Sequence, residues 1–239
     1  MAVIRMVRGS ASLGKRTHIN IYVPDQVQEG AKILYLLHGL SDNNDDWFNN
    51  TQLLRAIGAR NLIVVCPDGG KSFYSNMKGN YNYFDYISKE LPDYIEKLLP
   101  FSGKDEDRYI AGLSMGGYGA FKFALSFPER YAGAASFSGV MDVIERMENA
   151  TFDHSGIKDG EIGPKGDLFC LAKQAEKADK KPKLYQWCGT SDFLYQDNVK
   201  FRDFIKDMDF DYTYKESEGD HNWDCWNEQI KYILDFFNL

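Results

Sequence analysis

Residues 108–125, RYIAGLSMGGYGAFKFAL, place Ser114 between glycines where a β-rich apolar run gives way to a helical one. The segment matches G-x-S-x-G across Gly112, Ser114 and Gly116, a pattern that belongs to a sharp strand-to-helix turn exposing the serine hydroxyl. Bulk two residues before or after the serine would collide across that turn, so glycine is expected at both positions. Gly117, Gly119 and Ala120 would let the following helix lie close on a sheet. Serine and glycine are also ordinary turn formers. The rest of the chain has to decide between a nucleophile and a plain turn.

The same alternation recurs along the chain. HINIYVP (18–24) alternates like a strand, while KILYLLHG (32–39) and NLIVVCPDG (61–69) are near-continuous apolar runs, as strands buried on both faces should be. Further strands are expected in YAGAASFSG, KLYQWCG (183–189) and FDYTYKES (210–217). Between them, DWFNNTQLLRAI, YFDYISKELPDYIEKLL (83–99), the stretch around 196–207 and NWDCWNEQIKYILDFF read as helices, with Pro92 a kink or a helix start. Strands alternating with helices predict a mostly parallel sheet with helices on both faces. No repeat, low-complexity tract or linker interrupts the 239 residues, so one α/β domain spanning 1–239 is expected. The exception to the alternation is the polar, glycine-bearing stretch 142–170. It reads as an insertion over the C-terminal edge of the sheet, or as a surface loop.

A serine hydroxyl is a weak nucleophile until a histidine takes its proton and a carboxylate holds that histidine in the right tautomer. In an α/β-hydrolase the chain order is Ser, Asp/Glu, His. Of the four histidines, His18 and His38 precede the serine and His154 lies in the insertion. His221, in EGDHNWD after the last strand, is where the base should fall. For the acid, Asp142 follows one strand and Asp192, in CGTSDFLY, follows the next. Asp192 has the position expected of the acid, although a helix N-cap would suit it too. An oxyanion hole would take the backbone N–H of Met115 and that of Leu40, with Gly39 allowing close approach and His38 pinning the loop. These positions together favour Ser114 as a nucleophile.

Aromatic residues make up 15% of the chain and recur in its loops. Trp47, Phe48, Phe73, Tyr74, Phe193, Tyr195 and Trp223 are candidates to line a substrate pocket, against the alternative that they fill a core. The balance of Lys+Arg 28 against Asp+Glu 35 gives a net charge of -7, which argues against nucleic-acid or anionic-membrane partners. No apolar run reaches the ~18 residues of a membrane span, and the N-terminal stretch lacks the apolar core of a signal peptide. Cys66, Cys170, Cys188 and Cys225 form no CxxC pair, and His221 with Cys225 supplies only two ligands, so no metal or other cofactor is expected. Buried free thiols and a cytoplasmic location are the expectation.

YLLHGLSDNNDDW, AGLSMGGYGAFKFAL, AASFSG, WCGTSDFLY and GDHNWDCWNEQI resemble the esterase D-like esterases, and most closely their tributyrin-esterase branch. SLGKRTHINIYVP is similar to that family's first hairpin, and the resemblance extends over most of residues 10–237. The group is similar to S-formylglutathione hydrolases and to the feruloyl and acetyl-xylan esterases of carbohydrate esterase family one. The resemblance implies an α/β-hydrolase fold with Ser114, Asp192 and His221 as triad and Leu40 and Met115 as oxyanion donors. It implies a serine carboxylesterase acting on short acyl or aryl esters, a small-molecule substrate such as an acylated sugar, and a possible homo-oligomer. S-formylglutathione hydrolysis ranks below this because the chain reads GLSMGGYGA where those enzymes read GHSMGGHGA. Acyl transfer, peptide hydrolysis and a non-catalytic binding module are the other readings the fold admits.

Overall fold

The computed structural model describes residues 1–99, 101, 103–149 and 156–239. Its centre is an eight-stranded sheet in the order β1-β2-β4-β3-β5-β6-β7-β8. Strands β1 (Ala2–Ser10) and β2 (Lys15–Val23) form an antiparallel hairpin, and β2 runs antiparallel to β4 (Leu62–Pro67). From β4 onward, β3 (Lys32–Leu37), β5 (Arg108–Leu113), β6 (Gly133–Phe137), β7 (Lys183–Gly189) and β8 (Tyr212–Ser217) are parallel. This is the α/β-hydrolase fold. Strands β4 and β5 are buried along their whole length, as continuous apolar runs covered on both faces must be.

The chain steps outward from β3 to β4 and then returns to place β5 on the other side of β3. That reversal opens a crevice beyond the carboxyl ends of β3 and β5, the place where open α/β sheets bind ligands. Ser114 follows β5 directly, and His38 follows β3.

Helices cover both faces. DWFNNTQLLRAI does not form one helix but two, α1 (Asp46–Asn49) and α2 (Leu53–Ile57). The Thr51 hydroxyl donates to the Trp47 carbonyl and accepts from Leu53 N–H, so a side chain replaces the backbone ladder there. The expected helix 83–99 is likewise divided into α3 (Tyr83–Asp85), a π-turn over 86–90, and α4 (Leu91–Leu98). Pro92 has no N–H for the Ser88 carbonyl, and Arg130 Nη1 donates to that carbonyl instead at 2.7 Å. Helix α5 (Met115–Ser126) is buried through Leu125, which makes it the central helix of the molecule.

The described parts of the insertion hold more regular structure than its composition predicts. Helix α6 (Val143–Glu148) follows β6, and α7 (Gly163–Gly166) and α8 (Leu168–Ala175) close the stretch. Residues 150–155, His154 among them, lie outside the described residues. Polar side chains supply the order. Asp142 caps α6 and Asp167 caps α8, while Arg146 forks onto Asp197 at 2.8 Å through both Nε and Nη2. Asp197 lies on α9 (Tyr195–Ile205), and α10 (Trp223–Phe236) completes the fold. All four cysteines are free, Cys66 and Cys188 buried and the other two half-buried. No helix of the described residues is long and apolar enough to cross a membrane.

Candidate active site

Ser114 stands at φ 52°, ψ -119°, a backbone conformation that a residue with a side chain rarely adopts. Strand β6, the segment after it and the first turn of α5 hold it there. Its N–H donates to Phe137 O at 2.9 Å, and its carbonyl accepts from Tyr118 N at 3.1 Å and Val140 N at 3.3 Å. The glycines around it are a matter of space. A Cβ on Gly112 would stand 2.4 Å from Gly116 O, and one on Gly116 would stand 2.4 Å from Leu37 O. Both obstacles are backbone, so neither can yield.

His221 brings its Nε2 to 3.0 Å from Ser114 Oγ. Its Nδ1 lies 2.9 and 3.0 Å from the two carboxylate oxygens of Asp192, whose side chain is fully buried. Asp192 Oδ1 also accepts Leu194 N–H at 2.8 Å, so the backbone orients the carboxylate as well. Among the described residues, Asp142 makes no hydrogen bond to this histidine. It accepts Glu145 N–H as the α6 cap and pairs with Lys200. Serine, imidazole and carboxylate in this order can pass a proton from hydroxyl to ring while a fixed charge balances the ring.

The loop after β3 is pinned through its own histidine. His38 Nε2 accepts Gly69 N–H at 2.8 Å, which assigns the ring proton to Nδ1. Nδ1 then donates to Gly39 O at 2.7 Å, and Asp42 N–H donates to the same carbonyl at 3.3 Å. The peptide is trans, so the Leu40 N–H that shares it points the opposite way. Neither that N–H nor the one of Met115 has an acceptor among the described residues. Gly39 packs on Leu113, the residue before Ser114, closely enough that a Cβ would stand 2.8 Å from its side chain. Asp42 Oδ2 holds Gly39 N–H at 3.0 Å, and burial raises the Asp42 pKa. Asp42 was not legible beforehand, since an aspartate in SDNNDD has no distinguishing neighbour.

The aromatic candidates divide. Trp47, Phe73 and Tyr74 have 0–1% exposure and present no surface to a substrate. Trp47 donates Nε1–H to Leu37 O at 3.0 Å, and Tyr74 donates its hydroxyl to His38 O at 3.0 Å. Those three are corrected from pocket lining to wall, because all are packed into the core and Tyr74 fills the space beside Gly69 and Gly119. Phe48 is half-buried against the core. Tyr195 is half-buried, and its hydroxyl donates to Glu216 at 3.1 Å. Phe193, 64% exposed, lies 4.5 Å from the His221 ring, and half-buried Trp223 meets Trp47 and Trp226 edge-on. Trp226, which sequence reasoning passed over, stands edge-on to His221 at 4.9 Å. No group of three or more His, Cys, Asp or Glu among the described residues could hold a metal ion.

This arrangement has counterparts. Residues 10–237 match the esterase family model described as "Putative esterase". The chain belongs to that esterase family. It is 30% identical to an acetyl esterase of Caldicellulosiruptor saccharolyticus, over 99% of this chain and 97% of that protein. A substrate-bound fluorophosphonate-binding serine hydrolase of Staphylococcus aureus superposes with a TM-score of 0.90 at 31% identity, covering 99% of this chain and 98% of that one. An S-formylglutathione hydrolase of Staphylococcus aureus, at 33% identity and the same two coverages, gives 0.86. The chain is therefore related to acetyl esterases and S-formylglutathione hydrolases, and a serine hydrolase acting on small esters.

Proposed function

We propose that the protein is a serine carboxylesterase that cleaves short-chain acyl or aryl esters through an acyl-enzyme on Ser114. The observation that carries this reading is the continuous contact from Ser114 Oγ to His221 Nε2 at 3.0 Å and from His221 Nδ1 to Asp192 at 2.9 Å. Ser114 Oγ attacks the ester carbonyl carbon while His221 takes its proton, and Asp192 stabilises the imidazolium. The carbonyl electron pair moves onto oxygen, where the N–H groups of Leu40 and Met115 receive it. Collapse of that intermediate breaks the bond to the alcohol, which leaves with the proton from His221. Water, activated by the same histidine, then releases the acid and restores Ser114.

Phe193 and Trp223 are proposed as the rings that meet the substrate, supported by the Phe193 ring lying 4.5 Å from that of His221, where a bulky group limits how much acyl chain fits. Each methylene that fits adds only about 1 kcal/mol, so preference among acetyl to butyryl esters should be gentle. A longer chain must displace Trp223, which packs on Trp47 and Trp226, so the fall by octanoyl should be steep. Methyl ferulate should be cleaved measurably, because a flat acid can stack on the same rings. A panel of p-nitrophenyl esters from acetyl to decanoyl, with methyl ferulate and S-formylglutathione, tests this. Rates that keep rising through octanoyl and decanoyl would replace the short-acyl reading with an open lipid-type groove. The second reading, S-formylglutathione hydrolysis, is favoured by the 33% identity to a hydrolase of that name. A kcat/KM for S-formylglutathione far above that for every oxygen ester would establish it instead.

A further inference from the structure

Helix α5 carries a lysine where none belongs. Lys122 is 1% exposed, and no carboxylate lies within ion-pair distance of it among the described residues. Burying such a group is costly unless its hydrogen bonds are met. Among the described residues, the two side-chain hydrogen bonds it makes both go to one segment, 74–75. Nζ donates to Ser75 Oγ at 2.6 Å and to Tyr74 O at 3.3 Å. That segment is itself strained, with Phe73 at φ 49° and Tyr74 at φ 48°. An amine in either charge state supplies the two N–H bonds needed.

The other end of Tyr74 reaches the loop after β3. Its ring passes under α5, where a Cβ on Gly119 would stand 2.4 Å from it, and its hydroxyl donates to His38 O at 3.0 Å. His38 in turn fixes the peptide whose N–H belongs to Leu40. One buried chain of contacts thus runs from α5, which presents Met115 N–H at its first turn, to the loop that presents Leu40 N–H.

We propose that Lys122 is a positioning residue for the oxyanion hole, setting the distance between its two donors through Tyr74 and His38. The proposal rests on the esterase reading above. A donor that must receive developing charge tolerates little displacement, so the loss should fall on the transition state rather than on substrate binding.

The test compares wild type, Lys122→Met and Tyr74→Phe on one short ester, and against a trifluoromethyl ketone of similar shape. Ser114 Oγ adds to the ketone carbon, its proton moves to His221 and the carbonyl pair moves onto oxygen, so the adduct loads the hole directly. For Lys122→Met, kcat should fall about 10- to 100-fold with KM within about threefold, and the ketone Ki should rise by about the factor that kcat loses. Tyr74→Phe should show the same split to a lesser degree, and it carries the test if Lys122→Met does not fold. The double variant should be little worse than Lys122→Met, because both act on one chain of contacts. A folded Lys122→Met with kcat within twofold of wild type, or with an unchanged Ki, would overturn the proposal while leaving the esterase reading intact. A wild type that neither turns over the ester nor forms the ketone adduct would overturn both.

Discussion

Ser114, Asp192 and His221 lie 78 and 29 positions apart in the chain, yet each sits at a strand end. The acid assignment is tested most sharply by substitution without loss of shape. Asp192→Asn should lower kcat on the order of 10⁴-fold by presenting an N–H to His221 Nδ1 and favouring the wrong tautomer. Asp142→Asn should leave kcat nearly unchanged, since Asp142 caps α6 and pairs with Lys200. The reverse pattern would move the acid to the earlier strand. Lys122 gives a prediction of stability. Burial pushes its amine down from 10.5 to about 7, with Glu161 pulling weakly the other way. Between those values the unfolded chain holds a proton that the folded chain has lost, so raising the pH through this window favours the folded state. The urea midpoint of wild type should therefore gain on that of Lys122→Met between pH 7 and pH 10, values spanning that window. Midpoints that change in parallel would count against it. The contact among Ser114, His221 and Asp192 was legible because the order of such residues along the chain is dictated by the fold. Trp47, Phe73 and Tyr74 were misread because a ring that lines a pocket and one that walls it look alike in sequence.

At the scale of elements, the elbow between β5 and α5 depends on two glycines for space rather than for flexibility. Gly116→Ala would put a Cβ 2.4 Å from Leu37 O, inside the sheet where nothing can move aside. It should cost more than about 2 kcal/mol, read as a lower urea midpoint at unchanged slope. A stability equal to wild type would show that α5 can slide off β3. Continuous apolar strands made the sheet easy to anticipate. The helix breaks at 50–52 and 86–90 were hidden, because they depend on a hydroxyl and an arginine meeting particular carbonyls. The contacts inside the insertion were hidden for a related reason, since Asp142 capping α6 and Arg146 pairing with Asp197 depend on where α6 meets α9.

Across the molecule, strand order is what unites the pieces. Because β4 and β5 flank β3, the turn that bears Ser114 and the loop that bears Leu40 lie side by side at the carboxyl ends of adjacent strands, while β7 and β8 deliver Asp192 and His221 from further along the sheet. Alternating strands and helices announced a mostly parallel sheet, and the order of the motifs pointed to an α/β-hydrolase, but which aromatic rings are buried was decided by packing alone. Everything proposed for the reaction converges on one hydroxyl. Turnover of a p-nitrophenyl acetyl ester by Ser114→Ala is the most direct measurement. It should fall by about four to six orders of magnitude with the thermal unfolding midpoint preserved. A Ser114→Ala protein that keeps turnover within tenfold of wild type would contradict the account.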